Sequence, residues 1–212
     1  MAIKILVTGD YCPLGRNGIH IDNNENIFGE FGLHVAQADI AIANLEVPLT
    51  VGTKPIEKTG PNIKAPARYL KPLKDLGFNV VSLANNHIMD YGEEGLESTI
   101  SVCQTEGVRY VGAGPNLQAA RVPLVLTVEN KKIAIINVAE NEFCAATTES
   151  YGANPLNVIT NHYDIKKAKE ENDIVLVVSH GGREHYQLPS PQLRERYRFF
   201  IDSGADAVIG HH

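Results

Sequence analysis

Eight apolar runs, each four to seven residues long and rich in Val and Ile, punctuate this chain: Ile3–Thr8, Ile40–Ala43, Val80–Ala84, Val108–Val111, Val122–Val128, Ile133–Val138, Ile174–Ser179 and Ala207–Gly210. Runs of that length and composition read as buried strands and are too short for helices. Helical patterns with recognisable ends fall between them. Over Pro66–Leu76, the residues Tyr69, Leu70, Leu73 and Leu76 share one face ahead of Gly77. Leu96, Ile100 and Cys103 repeat that spacing before Gly107. Ser190 can cap a helix with Pro191 in its first position and Leu193, Tyr197, Phe200 and Ile201 on its buried face. A fourth helix is expected over Asp164–Glu171. Strands alternating with helices imply βαβ units and parallel pairing, whereas Val122–Val128 and Ile133–Val138, joined through Glu129–Lys132, read as an antiparallel hairpin. The expected fold class is α/β with a mixed sheet, in one domain over residues 1–212. Gly112–Pro115 reads as a turn and Tyr151–Asn161 as an irregular loop.

Composition narrows the function classes. The three cysteines, Cys12, Cys103 and Cys144, are odd in number and lack C-x-x-C spacing, which argues against a disulfide framework or a zinc knuckle and fits a reducing compartment. No apolar run approaches the ~18 residues of a membrane span, and the N-terminus lacks the features of a signal peptide, so a soluble, cytoplasmic chain is expected. Lys plus Arg is 19 against 25 Asp plus Glu, a formal charge of −6 that disfavours nucleic acid as a partner.

The chemistry-bearing residues follow the apolar runs. Asp10 comes after the first, Asn44 and Glu46 after the second, and Asn85, Asn86 and His87 after the third. Asn137, Glu140 and Asn141 follow the hairpin, then His180, then His211 and His212. In open α/β sheets ligands bind outside the carboxyl ends of the strands, so these residues should converge on one rim. Carboxylates, amides and imidazoles without a thiolate suit divalent transition ions such as Mn, Fe or Zn. A carboxylate with ligands on both sides could hold two ions about 3.5–4 Å apart. Each residue also has a plainer reading. Asp10 after Gly9 could be a turn or cap residue, Asn85–Asn86 a turn, and His180 a hydrogen-bonded core residue. Six strand ends behaving alike favour the rim. No G-x-S-x-G elbow is present, no Gly-Lys-Ser/Thr follows Gly112–Pro115, and the sequence identifies no neighbouring base for Cys144. His20, His34 and His162 read as surface or capping residues. The segment 51–76 holds Lys54, Lys58, Lys64, Arg68, Lys71 and Lys74 against only Glu57 and Asp75. It is either a solvated face or an arm that receives an anionic substrate.

These motifs together resemble the CapA family, the capsule or poly-γ-glutamate synthesis proteins whose fold is similar to the calcineurin-like metallophosphoesterases. The resemblance covers essentially the whole chain. It rests on Gly9-Asp10 with Arg16 beyond, Asn44-Leu45-Glu46, Lys58-Thr59-Gly60-Pro61 leading to Ala65-Pro66, and Ala84-Asn85-Asn86-His87 with Asp90. Ser179-His180-Gly181 with Glu184, and Gly204-Ala205-Asp206 leading to Gly210-His211-His212, complete it.

The resemblance implies a β-sandwich flanked by helices in four layers, with the site at one end of the sheets. It implies Asp10, Glu46, Asn86, His180, His211 and His212 as ligands of one or two divalent transition ions, with Glu46 in the bridging place. His87, with Asp90, would be the catalytic pair, His87 protonating a leaving group or stabilising charge beside it. Arg16, Lys54, Lys58 and Glu184 would contact an anionic small molecule or polyglutamate. Three departures stand out: Cys12 where phosphoesterases carry His, Glu46 where they carry Asp, and an end at His212 where the family continues with another histidine. The last implies a domain incomplete at its C-terminus, and relatives are commonly exported or anchored. Two functions follow: a metal-dependent hydrolase or transferase acting on an anionic ester or amide, or a non-catalytic accessory protein that binds polyglutamate or the synthesis machinery.

Overall fold

The structure, a computed structural model, describes residues 2–140, 142–183 and 185–212. The expectations on Asn141 and Glu184 lie outside the described residues. In chain order the elements are β1 (Ile5–Tyr11), α1 (Arg16–Asp22), α2 (Gly32–Val35), β2 (Ile40–Leu45), α3 (Lys71–Leu76), β3 (Val80–Ser82), α4 (Gly92–Glu106), β4 (Arg109–Val111), β5 (Ala113–Gly114), α5 (Leu117–Ala120), β6 (Leu124–Val128), β7 (Lys131–Ala139), β8 (Gly152–Ala153), α6 (Val158–Glu171), β9 (Ile174–His180), α7 (Pro191–Asp202) and β10 (Ala207–His211). No helix of the described residues is long and apolar enough to cross a membrane.

All eight apolar runs form strands, in two four-stranded sheets where the run pattern by itself suggested one mixed sheet and the resemblance a sandwich. The first is wholly parallel in the order β1-β2-β3-β4, and the second runs β10-β9-β7-β6. In the second, β6 and β7 form the expected antiparallel hairpin, and the other pairs are parallel. Its two-residue turn places both Glu129 and Asn130 at positive φ, 48° and 63°, the twist that matches flanking strands.

Alternation along the strands sorts the apolar residues into three clusters. Ile40 and Ile42 of β2 share a cluster with Ile133 and Ile135 of β7 and Leu176 and Val178 of β9, so the two sheets face each other. The opposite face of the first sheet, with Ala41, Ala43 and Leu45, packs against Leu73 of α3 and Leu96 and Cys103 of α4. The opposite face of the second, with Ala134, Ile136, Val175 and Val177, packs against Ile165 of α6 and Leu193 and Phe200 of α7. Helices therefore cover both outer faces.

The helix signals hold in part. Ser190 caps α7 by accepting from the amide of Leu193, with Pro191 in the first turn. Gly77 ends α3 in the left-handed region at φ 112°. Ile201, however, is exposed rather than buried on α7. α6 begins six residues earlier than expected, capped by Asn157, whose side chain accepts from the amide of Thr160. The segment read as a loop over Tyr151–Asn161 thus contains β8 and the first turn of α6. Gly112–Pro115 is not a simple turn either: Ala113–Gly114 pairs antiparallel with Gly152–Ala153. The Gly152 pairing depends on glycine, because a Cβ there would lie 2.5 Å from the carbonyl oxygen of Cys144.

Candidate metal centre

Parallel pairing brings the carboxyl ends of both sheets to one rim. Asp10 pairs in register with Asn44 across β1 and β2. Between Val7 and Asp10 the register of β1 slips by one residue against β2. Such a bulge kinks the strand and re-aims the side chains beyond it. In the second sheet His180 and His211 are register partners on β9 and β10.

Two overlapping groups of ligand atoms result. Asp10, His180 and His211 form one, and Glu46, His180 and His212 the other, with the ligand atoms of each within 4.8 Å of one another. In the first, Nδ1 of His211 lies 2.8 Å from Oδ1 of Asp10, and Nδ1 of His180 lies 3.1 Å from Nδ1 of His211. In the second, Nε2 of His180 lies 3.4 Å from Oε1 of Glu46 and 2.9 Å from Nδ1 of His212. Oδ1 of Asn86 is 3.0 Å from the same Nε2. The residue common to both groups is His180, whereas the resemblance put Glu46 in the shared place. Nε2 of His211 is buried without a hydrogen-bond partner among the described residues.

Charge in the cluster is polarised. Burial pushes His180 down to about 4, Asp10 opposes that, and the imidazoles of His211 and His212 add to it. The ring is therefore neutral at neutral pH, with one lone pair to give. Burial works against the charge on Asp10 too, yet hydrogen bonds with His180 and His211 outweigh it and hold the carboxyl well below the usual carboxylate range. Cys12 joins neither group; burial, followed by Glu46, Asp10 and Asp90, raises its thiol to about 11.

A buried amide network supports the ligands, and the sequence reading left it unassigned. Asn44 donates to Oδ1 of Asp10 at 2.7 Å and lies 3.3 Å from Nδ1 of His180. Its carbonyl oxygen accepts from Ser82 and Asn85, both at 3.3 Å. Asn137 ties the two sheets together by accepting from the amide of Ala84 at 2.6 Å and donating to the carbonyl of Val178 at 3.1 Å. The first bond anchors the segment that leads into Asn85–His87, and the second anchors the strand that ends in His180. Asparagine after each apolar run was the available signal, although sequence alone does not tell a support from a ligand.

Beside the centre, Nδ1 of His87 lies 2.7 Å from Oδ2 of Asp90, and Lys58 is ion-paired with the other oxygen of Asp90. Arg16 is exposed at the start of α1. The basic segment is largely neutralised. Lys58 pairs with Asp90, Arg68 with Asp22, Lys71 with Asp75 and Lys74 with Glu106, while Lys64 sits over the Tyr91 ring. Of its six cations, Lys54 alone is exposed and unpaired among the described residues.

Comparisons with known proteins agree with one another. A family model described as bacterial capsule synthesis protein PGA_cap matches residues 4–212. The chain is 31% identical over 223 aligned positions to the capsule biosynthesis protein CapA of Bacillus anthracis, covering 99% of this chain and 54% of that protein. It is 33% identical over 150 positions to the PGA biosynthesis protein CapA of Bacillus subtilis, covering 68% and 38%. A Mycobacterium tuberculosis relative named as a probable polyglutamine synthesis accessory protein is 27% identical over 187 positions, covering 82% and 49%. The chain thus spans about half, or less, of the length of these curated relatives. Among solved structures, a hypothetical protein from Thermus thermophilus superposes with a TM-score of 0.56 at 17% identity, covering 99% of this chain and 68% of that one. That last likeness is one of fold.

Proposed function

Because the chain belongs to the bacterial capsule synthesis protein family PGA_cap, we propose that it is a metal-dependent hydrolase or transferase that acts on an anionic ester or amide in poly-γ-glutamate capsule synthesis. The observation that carries this reading is the pair of His and carboxylate groups meeting on His180 at the rim of a helix-covered pair of sheets. Such a rim, with its ligands at strand ends, is what the metallophosphoesterase type of sandwich would provide.

The residues present fit a divalent transition ion. Their donors are two carboxylates, three imidazoles and an amide oxygen, a borderline set without thiolate. Nε2 of His211 is buried without a hydrogen-bond partner among the described residues, so no hydrogen bond from that side competes for the ring. Asp10, His180 and His211 would hold one ion, and Glu46, His212 and Asn86 a second; Mn, Fe and Zn all suit such ligands. When bound, such an ion would act as a Lewis acid on a substrate oxygen and supply a nucleophile at neutral pH.

The chain's own residues would do the rest. Asp10 and Glu46 bring the negative charge that offsets the dications. Asn44 keeps Asp10 oriented through its 2.7 Å hydrogen bond. His87, with Asp90 on its Nδ1, would present Nε2 to the leaving group and exchange a proton there, a contribution of roughly 10²–10⁴-fold. Lys54 and Arg16, both exposed, are available to a polyanion such as polyglutamate.

The test is turnover of a generic phosphodiester and of γ-glutamyl peptides by protein loaded with Mn, Fe or Zn, compared with the His87→Gln variant. Turnover that disappears in the variant supports the reading. Absence of turnover and of bound metal, with saturable binding of polyglutamate, would replace it by the accessory role.

A further inference from the structure

Lys58 lies in the irregular stretch between β2 and α3, yet its side chain is only 4% exposed and its ammonium pairs with the fully buried carboxylate of Asp90. The same ammonium lies 3.5 Å from the carbonyl oxygen of Asn86 and 3.2 Å from Nδ1 of His87. On its other oxygen, Asp90 faces Nδ1 of His87 at 2.7 Å and accepts from the amide of Ile63 at 2.7 Å. The amide of Ile56 in turn donates to the carbonyl of Asp90 at 3.0 Å. The whole segment from Ile56 to Ile63 is therefore wrapped on this one aspartate.

An ammonium only donates and an ionised carboxylate only accepts. The ring nitrogen between them satisfies both neighbours in one way. Nδ1 carries a hydrogen and donates to Asp90, and the ammonium turns its own hydrogens to Asp90 and the Asn86 carbonyl. We infer that Lys58 is a positioning residue for His87: by engaging Oδ1 of Asp90 it leaves Oδ2 to the ring and the Ile63 amide and so fixes the ring's tautomer and orientation. Its place in a basic segment suggested an anion receptor, but a buried ammonium already paired to a carboxylate is not available for that. The consequence for catalysis rests on the hydrolase reading above; the geometry does not.

The experiment reads the ring directly. Protein labelled with ¹⁵N-histidine is measured by long-range proton–nitrogen correlation, with His87 assigned by the signals lost in His87→Gln. The parent should show His87 as a single tautomer protonated at Nδ1. Lys58→Met should move its two nitrogen signals toward the average of both tautomers, whereas Lys54→Met should leave them in place. A folded Lys58→Met protein with His87 signals identical to the parent overturns the inference. Should that variant not fold, acetic anhydride labelling of the parent decides. Lys58 should acetylate at least about tenfold more slowly than Lys54, because it must first leave its buried partner; equal rates overturn the inference. Neither measurement needs turnover, so loss of the hydrolase reading and loss of this one are told apart.

Discussion

Oδ1 of Asp10 lies 2.8 Å from Nδ1 of His211, although the two residues stand on strands of different sheets. The candidate centre therefore bridges the sandwich rather than decorating one sheet. A ligand that holds both residues should also hold the sheets together. Adding Mn or Zn to stripped protein is expected to raise its unfolding temperature, since an ion at 100 times its Kd contributes about 2.7 kcal/mol. Asp10→Asn should remove most of that rise, as followed by calorimetry with and without the ion.

His180 makes the metal-free protein sensitive to mild acid. Its pKa is about 4 in the folded state because the ring is buried, against about 6.5 in an unfolded chain. Between those values the unfolded state binds the extra proton, so stability is lost as pH falls from about 6.5 to 4 and this group adds no further slope below that. The shift corresponds to a loss on the order of 3 kcal/mol. Urea midpoints measured from pH 7 to pH 4 should fall steeply for the parent and less steeply for His180→Gln.

The Lys58–Asp90 pair should behave as a buried ion pair. Removing one partner, as in Lys58→Met or Asp90→Asn, is expected to cost about 3–5 kcal/mol, and the double variant less than the sum, because no charge is then left uncompensated. Urea unfolding of the two single variants and the double variant closes the cycle. Lys54→Ala, four residues away and exposed, should change stability by less than about 0.5 kcal/mol. Its effect belongs in polyglutamate binding, which should weaken and lose part of its salt dependence.

Asn137 and Gly112 form a lock between the sheets. Asn137→Ala would take from the buried amide of Ala84 the side-chain acceptor it uses, at about 1–3 kcal/mol. Gly112→Ala should be at least as damaging, because its Cβ would lie 2.1 Å from Oδ1 of Asn137 and its φ is 94°. Denaturant unfolding measures both.

Much of this was legible in the sequence because strand length and β-branching are local signals, and parallel strands place their ends together. The rim residues Asp10, Glu46, Asn86, His180, His211 and His212 could thus be gathered before any coordinates. Division into two sheets was not legible from the apolar runs alone. Ile40 and Ala41 look alike in a buried run, yet one faces the other sheet and the other faces the helices. Pairing of Ala113–Gly114 with Gly152–Ala153 escaped for a different reason, since two-residue strands carry no periodicity. The pairing of Lys58 is not legible in charge counted along the chain, because its partner Asp90 lies 32 residues away. Likewise Asn44 looked like one more rim residue, and only its contacts mark it as a support for Asp10 and His180.

Metal content tests the central claim most directly. The parent, His180→Ala and Glu46→Gln are stripped, reloaded with Mn or Zn, desalted and measured by inductively coupled plasma mass spectrometry. Because His180 belongs to both groups of ligand atoms, the parent should retain at least one equivalent per chain and His180→Ala clearly less, having lost the ion held with Asp10 and His211, while Glu46→Gln keeps what Asp10 and His211 hold. A parent that retains no metal, or a folded His180→Ala protein that retains as much as the parent, would contradict the account.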